Sequence, residues 1–409
     1  MAIDSTVLHK VSSSSHTPVQ LHEIWKLKID NLLGAWEEFE SQKLNLSTYP
    51  FKAIIEMTQN CNFRCIMCPQ SWEEKFKKYD VNLNMSLDTF VNIGNQLFPR
   101  AVFIDLRGFG ETTILPYWHE VVDYLERFPF IEWHLVTNLS MPRDELWNKM
   151  IKVGFSLGFS CDGATRETFE FIRVRSHFDR IRHNLEVIRQ SIKKYNRGFI
   201  YFISTIQKRN LHELRKLVEL AHEFEVPEVQ FKMVQTDDLS QSLSNGGDSE
   251  KIRVHVDSAL DAAIDLGVRI TFNDWIFTAD IDSDKVKRAA LPFTRKSEYP
   301  LPQSTPYAPN YWEEKGVSHI LKKITDSSQV SINQKCFKPF SYTYINYEAL
   351  MGTCNHMMYP NMKVMGDLKS QNVLDVWNGE KYRSFRQELI TAKPSDPRCQ
   401  WCFKHRLDD

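Results

Sequence analysis

The chain of 409 residues carries 51 Lys+Arg against 52 Asp+Glu, a formal net charge of −1, with 42% hydrophobic and 25% charged residues. This balance excludes a disordered chain and a nucleic-acid binder driven by bulk charge, and the length suits about two to three domains. No apolar run is long enough to span a bilayer and the segment MAIDSTVLHKVSSSSHTPVQ has no apolar signal core, so a cytoplasmic chain without membrane or nucleic-acid partners is expected.

Residues 1–49 read as a Ser-rich flexible tail and then an amphipathic helix from Leu21 to about Lys43. Its apolar positions, among them Leu21, Trp25, Leu32 and Trp36, suit a structural brace. Candidate strands follow at Phe51–Met57, Ala101–Gly108, Ile131–Asn138, Phe155–Asp162, Gly198–Ile206 and Glu228–Val234. Helical patterns lie between them near 86–98, 117–128, 143–152, 166–194 and 211–224. Repeated βα units predict a mostly parallel sheet with helices outside, an open or partial barrel over 50–235, with chemistry at the carboxyl ends of its strands.

Over 236–333 the texture changes to a helix at 249–266, a strand at Val268–Phe272 and a Pro-rich stretch at 280–312. With Trp275, Tyr299, Tyr307, Tyr311 and Trp312, this insert suits either a lid over a substrate pocket or a linker. Residues 334–409 form a compact Cys-bearing module, with a hairpin (Tyr342–Ile345 and Leu350–Thr353) and a helix from about Val373 to Ile390.

Eight cysteines in a chain without a signal peptide point to metal or redox chemistry before disulfides. Cys61, Cys65 and Cys68 have the spacing C-x3-C-x2-C directly after the first strand. Three thiolates on one short loop cap three irons of a cubane cluster and leave the fourth iron open to another ligand, whereas a structural zinc site is closed by four ligands. Cys336, Cys354, Cys399 and Cys402 supply four more thiolates ending in C-x2-C, a set that fits either a second cluster or a zinc ribbon. Cys161 stands alone, as a small buried hydrophobe or a thiol hydrogen donor.

The loop Cys61-Asn-Phe-Arg-Cys65-Ile-Met-Cys68 resembles the signature of the radical S-adenosylmethionine (SAM) superfamily, with Met67 where that family usually has an aromatic. Arg107-Gly108-Phe109-Gly110-Glu111 resembles its "GGE" element, with Phe109 in place of the first Gly. The resemblance implies that Gly110 and Glu111 receive the cofactor's ammonium group. It further implies that Asn138 and Ser160 hydrogen-bond SAM and that Arg173 pairs with its carboxylate. The segment from Cys336 to Cys402 resembles the auxiliary-cluster modules called SPASM, and more closely their shortened "twitch" form. The expected fold is therefore α/β, a partial (β/α)6 radical SAM barrel with a small C-terminal SPASM/twitch module.

The cofactors so implied are SAM and two 4Fe-4S clusters, one SAM-binding (Cys61, Cys65, Cys68) and one auxiliary (Cys336, Cys354, Cys399, Cys402). A flavodoxin- or ferredoxin-type electron donor is the implied partner. In the family, one electron splits SAM into methionine and a 5′-deoxyadenosyl radical that removes hydrogen from a C–H bond. The outcome expected here is oxidation or epimerisation of a small polar metabolite such as a sugar or aminocyclitol, with modification of a short peptide as the alternative. No separate leader-peptide-recognition domain is evident ahead of the first strand, which favours the small molecule.

Overall fold

Alternation of short β-branched and aromatic runs with amphipathic helices gives a single large sheet wrapped on one side by helices. The computed structural model describes residues 16–236, 238, 240–243, 249–273, 281–290, 331–332, 335–354 and 361–405. Its elements are α1 (Pro18–Glu40), β1 (Lys52–Ile55), α2 (Leu87–Leu97), β2 (Phe103–Asp105), α3 (Trp118–Leu125), β3 (Glu132–Thr137), α4 (Asp144–Val153) and β4 (Phe155–Ser160). Then come α5 (Arg166–Ile172), α6 (Phe178–Tyr195), β5 (Phe199–Ile206), α7 (Leu214–Glu223), β6 (Glu228–Met233), α8 (Ser249–Leu266), β7 (Arg269–Phe272) and α9 (Ser283–Ala290). The C-terminal part adds β8 (Tyr342–Ile345), β9 (Leu350–Gly352), β10 (Gly366–Asp367), α10 (Val373–Trp377), α11 (Glu380–Ile390) and α12 (Pro397–His405).

The sheet runs β10-β9-β8-β1-β2-β3-β4-β5-β6-β7. All pairs from β8 to β7 are parallel, and only β8–β9 and β9–β10 are antiparallel. The six strands read from the sequence are thus extended at both edges. β7, from the segment drawn as an insert, pairs with β6, and β8, from the Cys-bearing module, pairs with β1. Alternate residues face opposite sides of the sheet. Trp133 packs on Phe98 and Phe155 on Trp118, which puts their row toward the helices and the row of Asp105, His134 and Ser156 on the inner face.

Two long helical readings break in the structure. The pattern at 166–194 splits because Arg173–Val174 leave the helix to pair with Arg64–Cys65, and Arg175 takes a left-handed φ of 74°. The pattern at 373–390 splits into α10 and α11 around Asn378–Gly379, with Gly379 as the extended N-cap of α11. Residues 1–15 and the Pro-rich stretch from 291 to 312, with Trp275 and the aromatics read there, lie outside the described residues.

Helix α1 begins with a capping box between Thr17 and Gln20 and buries Leu21, Trp25, Ile29, Leu32, Trp36 and Phe39. Trp36 and Phe39 meet Phe337, and Phe39 also meets Phe340, so the helix joins the barrel to the C-terminal module. In its middle Lys28 is fully buried and donates to Phe98 O (2.7 Å) and Ala101 O (2.6 Å), and burial pulls its ammonium well below the usual lysine range. Those carbonyls lie just past the end of α2, and removing the amine takes away this donor. Lys28→Ala is expected to cost about 3 kcal/mol, from two orphaned carbonyls and a cavity. Urea unfolding measures this, and a midpoint like the wild type's would contradict it. Among the described residues no helix is long and apolar enough to cross a membrane.

Candidate iron–sulfur and cofactor site

The loop after β1 carries Cys61, Cys65 and Cys68 and is fixed from three sides. Cys65 pairs with Arg173 in the two-residue ladder, and Ile66 N donates to Ile172 O (3.0 Å). Arg64 Nη1 donates to Cys61 O (2.8 Å) and Phe63 O (2.7 Å), while Ser71 Oγ donates to Cys65 O (2.6 Å). The backbone of this loop is thus set without help from the thiols. Burial pushes all three thiols up, Cys61 to about 12 with the neighbouring Glu111 carboxylate adding to the rise. Thiolates here need added positive charge, which bound iron supplies.

The residues singled out from the sequence gather around that loop. Glu111 is buried and accepts from Asn138 N (2.6 Å), Thr137 Oγ1 (2.8 Å) and Thr113 Oγ1 (2.6 Å). Burial raises its carboxyl despite those donors. Asn138 Nδ2 donates to Asn62 Oδ1 (2.9 Å) and lies 3.9 Å from Cys61 Sγ. Gly110 is pressed on the β1 loop, since a Cβ there would meet Asn60 O at 2.3 Å and Thr58 O at 2.7 Å. The backbone approach that demands glycine is therefore to this loop, a reason distinct from direct contact with a ligand.

Ser160 ends β4 half-buried, on the inner-face row of Ser156 and Gly158. Arg173 is buried and faces Asp162, with Nη2 2.6 Å from Oδ2, while its Nη1 lies 3.7 Å from Cys65 Sγ. Asp162 escaped notice in the sequence although it adjoins Cys161. Only the fold places it opposite an Arg eleven positions on. Cys161 itself is fully buried in the apolar core, its Sγ 3.7 Å from Gly163 O, and it continues the helix-facing row of Phe155, Leu157 and Phe159. That packing runs against the hydrogen-donor role and fits a small core side chain.

Polar atoms without partners mark where a ligand fits. Gln59 Oε1, Gln70 Oε1 and Arg173 Nε are buried with no hydrogen bond, two of them flanking the Cys61–Cys68 loop and the third beside Cys65. A polar molecule carrying donors and acceptors, as SAM does, suits these atoms, and three thiols with no fourth suit an open cluster.

The second group of cysteines lies in the C-terminal module. Cys336, Cys354, Cys399 and Cys402 line one cavity, with Lys338 and Arg398 at its wall. Burial, and next the neighbouring Cys354, push the Cys336 thiol up to about 12, and Cys399 is likewise raised. Four thiols around one buried space fit a fully protein-ligated metal cluster.

The radical SAM superfamily model matches residues 55–221, and the model for an iron–sulfur cluster-binding domain, SPASM, matches residues 336–403. No curated protein matches the sequence. Among solved structures, SuiB of Streptococcus suis bound to S-adenosylmethionine superposes with a TM-score of 0.56 at 13% identity, covering 89% of this chain and 80% of that one. Native anSMEcpe with bound AdoMet gives 0.54 at 14% identity, covering 83% and 84%. At such identities the likeness is one of fold. The two domain matches together take in more than half of the chain and bring SAM and 4Fe-4S clusters as its cofactors. The chain belongs to the radical SAM superfamily and carries a C-terminal SPASM domain.

Proposed function

We propose that this radical SAM enzyme dehydrogenates a small, hydroxyl-bearing polar metabolite such as a sugar or aminocyclitol. The observation that carries the reading is the second set of four cysteines around one cavity, in a module whose strand β8 is hydrogen-bonded directly to β1. Four protein thiolates leave no open iron for substrate, so the auxiliary cluster suits acceptance of an electron from substrate.

In this reading Cys61, Cys65 and Cys68 hold the SAM-binding cluster, and Cys336, Cys354, Cys399 and Cys402 the auxiliary one. Bound there, SAM and the reduced cluster supply the radical that removes hydrogen from a substrate carbon. The chain's own residues orient and shield. Glu111 braces the ends of β2 and β3, and it offers a counter-charge to the SAM ammonium together with the backbone at Gly110. Asn138 and Ser160 serve as polar contacts at the strand ends, and Arg173, held by Asp162, faces the SAM carboxylate. A flavodoxin- or ferredoxin-type protein delivers the first electron.

Oxidation is favoured over epimerisation because seven of the eight cysteines fall into the two sets and the eighth, Cys161, packs in the core. A peptide substrate is the second reading, motivated by structures of similar fold solved with peptides: SuiB with its precursor peptide SuiA (TM-score 0.54) and anSMEcpe with the Cp18Cys peptide (TM-score 0.53).

The test is anaerobic reconstitution with iron and sulfide, then SAM, dithionite and a panel of inositols, amino-inositols and hexoses. Expected are 5′-deoxyadenosine and a carbonyl product in equal amounts, with no solvent deuterium at the reacting carbon. Solvent deuterium there would mean epimerisation. A colourless zinc-loaded protein that leaves SAM intact would sink the enzyme reading, and turnover of a short peptide alone would move the substrate to the second one.

A further inference from the structure

One buried ion pair ties the cysteine loop to the end of the sheet. Asp162 lies two positions beyond β4 and is fully buried. Its carboxylate is fixed from β5, since Thr205 N donates to Oδ1 (2.7 Å), and its carbonyl accepts from Asn210 Nδ2 (2.8 Å). The other carboxylate oxygen faces Arg173, with Oδ2 2.6 Å from Nη2. Arg173 and Cys65 are direct partners in the short antiparallel ladder, so their side chains leave it on the same face. There the second arm of the guanidinium, Nη1, lies 3.7 Å from Cys65 Sγ.

The shape of the cation explains the arrangement. A guanidinium is planar, stays charged and donates from both arms, so a carboxylate that grips one arm aims the other. Cys65 is the buried thiol of its loop, and a charge beside a buried sulfur is screened far less than one in water. Arg64, next to Cys65 in the chain, turns its guanidinium instead to the carbonyls of Cys61, Phe63 and Phe76.

We propose that Asp162 is a positioning residue that holds Arg173 on Cys65, and that the guanidinium so held raises the reduction potential of the cluster that Cys65 ligates. This rests on Cys65 as a ligand of the SAM-binding cluster, as in the proposed function. One electron passes from a flavodoxin- or ferredoxin-type donor, which is oxidised, to the cluster, which becomes one charge more negative. A cation on its sulfur favours that reduced state, because hydrogen bonds to sulfur and net charge set such potentials. The Asp162 carboxylate offsets part of the effect. The expected shift in the reduced-to-oxidised ratio is about tenfold, or ~59 mV for a one-electron couple.

The test is a redox titration of the reconstituted full chain without SAM, read by EPR at potentials poised with dithionite and mediators. The SAM-binding cluster is the signal that changes when SAM is added and that Cys65→Ala removes. At the wild type's midpoint, Arg173→Gln should lower its reduced-to-oxidised ratio about tenfold. Asp162→Asn keeps an acceptor for Thr205 N but turns a donor toward Arg173, and it should lower the ratio as well. The sign decides the role. Deleting a negative charge while the guanidinium stayed in place would raise the ratio, so a fall requires that the guanidinium has moved. An unchanged or raised ratio in Asp162→Asn overturns the positioning role.

Arg173→Gln alone strands a buried carboxylate and costs stability, so the double variant Asp162→Asn/Arg173→Gln, which buries neither charge, is titrated beside it. It too should lie below the wild type, and a ratio at or above the wild type's overturns the role of the guanidinium. A SAM-responsive signal that survives Cys65→Ala sinks the ligand assignment itself. A signal that Cys65→Ala removes and the Arg173 variants leave unmoved sinks this proposal alone.

Discussion

Cys65→Ala is expected to abolish reductive SAM cleavage, with 5′-deoxyadenosine formation falling to the level of protein-free controls. Cys65 is the most enclosed thiol of its loop, and its chain neighbours are held by backbone bonds that the substitution leaves alone: the ladder to Arg173, Cys68 N to Cys65 O (3.0 Å) and Ser71 Oγ to Cys65 O (2.6 Å). The variant should therefore fold, with a melting temperature close to the wild type's, and still lose one of the three thiols that the proposed function assigns to the SAM-binding cluster. A cubane held by two thiolates on one loop leaves two irons exposed, and iron is lost from such sites. Arg173 adds to the loss. Its Nη1 lies 3.7 Å from Cys65 Sγ, and a guanidinium there neutralises sulfur charge, so removing the thiolate leaves that cation paired with Asp162 alone. The iron content of the reconstituted variant and its 5′-deoxyadenosine yield measure the effect. Cleavage at a tenth of the wild-type rate or more would mean that Cys65 is not a ligand. Auxiliary-cluster iron should stay, because Cys336, Cys354, Cys399 and Cys402 surround a separate cavity.

The parts of the fold that follow from local pattern were legible in the sequence. Apolar residues at helical spacing, such as Phe90, Ile93 and Leu97 in α2 behind its Ser86 cap, mark a helix that any buried face would select. The strand cores at Glu132–Thr137 and Phe199–Ile206 were equally plain. The break between α5 and α6 was not, because it depends on Arg173–Val174 being drawn to Arg64–Cys65, a pairing across more than a hundred residues. Local propensity carries no record of such a partner. The same distance hid the parallel pairing of β8 with β1, which makes the Cys-bearing module part of the barrel's sheet.

The site divides in the same way. Cysteines announce themselves by spacing, so Cys61, Cys65 and Cys68 stand out along the chain itself. Glu56 does not, yet its buried carboxylate accepts from Phe109 N (2.8 Å) and Tyr344 Oη (3.0 Å) and so ties the β2 loop and β8 to the strand that leads into the cysteine loop. Asp105 and His134 lie on separate strands, and only the register of the sheet brings them together. Chemistry built from one loop is visible in sequence, and chemistry built across strands is not.

Cys336→Ala is expected to separate the two halves of the reaction, leaving at least about a third of SAM cleavage and removing carbonyl product about 100-fold, the scale of a lost redox or proton-transfer partner. The cavity at Cys336 lies in the module beyond β8, and the loop of Cys61, Cys65 and Cys68 has its own backbone supports, so SAM should still be cleaved. Completion is different. Tyr382 Oη donates to Gly352 O at the end of β9, and Tyr344 Oη on β8 reaches Glu56 at the end of β1, so the module's framework is continuous with the barrel interior. In the proposed reaction an electron left on the substrate has its acceptor in that cavity only while a cluster fills it. With three thiolates the auxiliary cluster gains an open iron and its potential shifts, since ligand number and charge set that potential. Quantifying 5′-deoxyadenosine and trapped carbonyl in the same reactions gives the ratio directly. Normal turnover by Cys336→Ala would show that the auxiliary cluster takes no electron from substrate. Loss of both products together would instead make this cluster a support for the barrel, a result that intact iron at Cys61, Cys65 and Cys68 and an unchanged melting temperature would argue against.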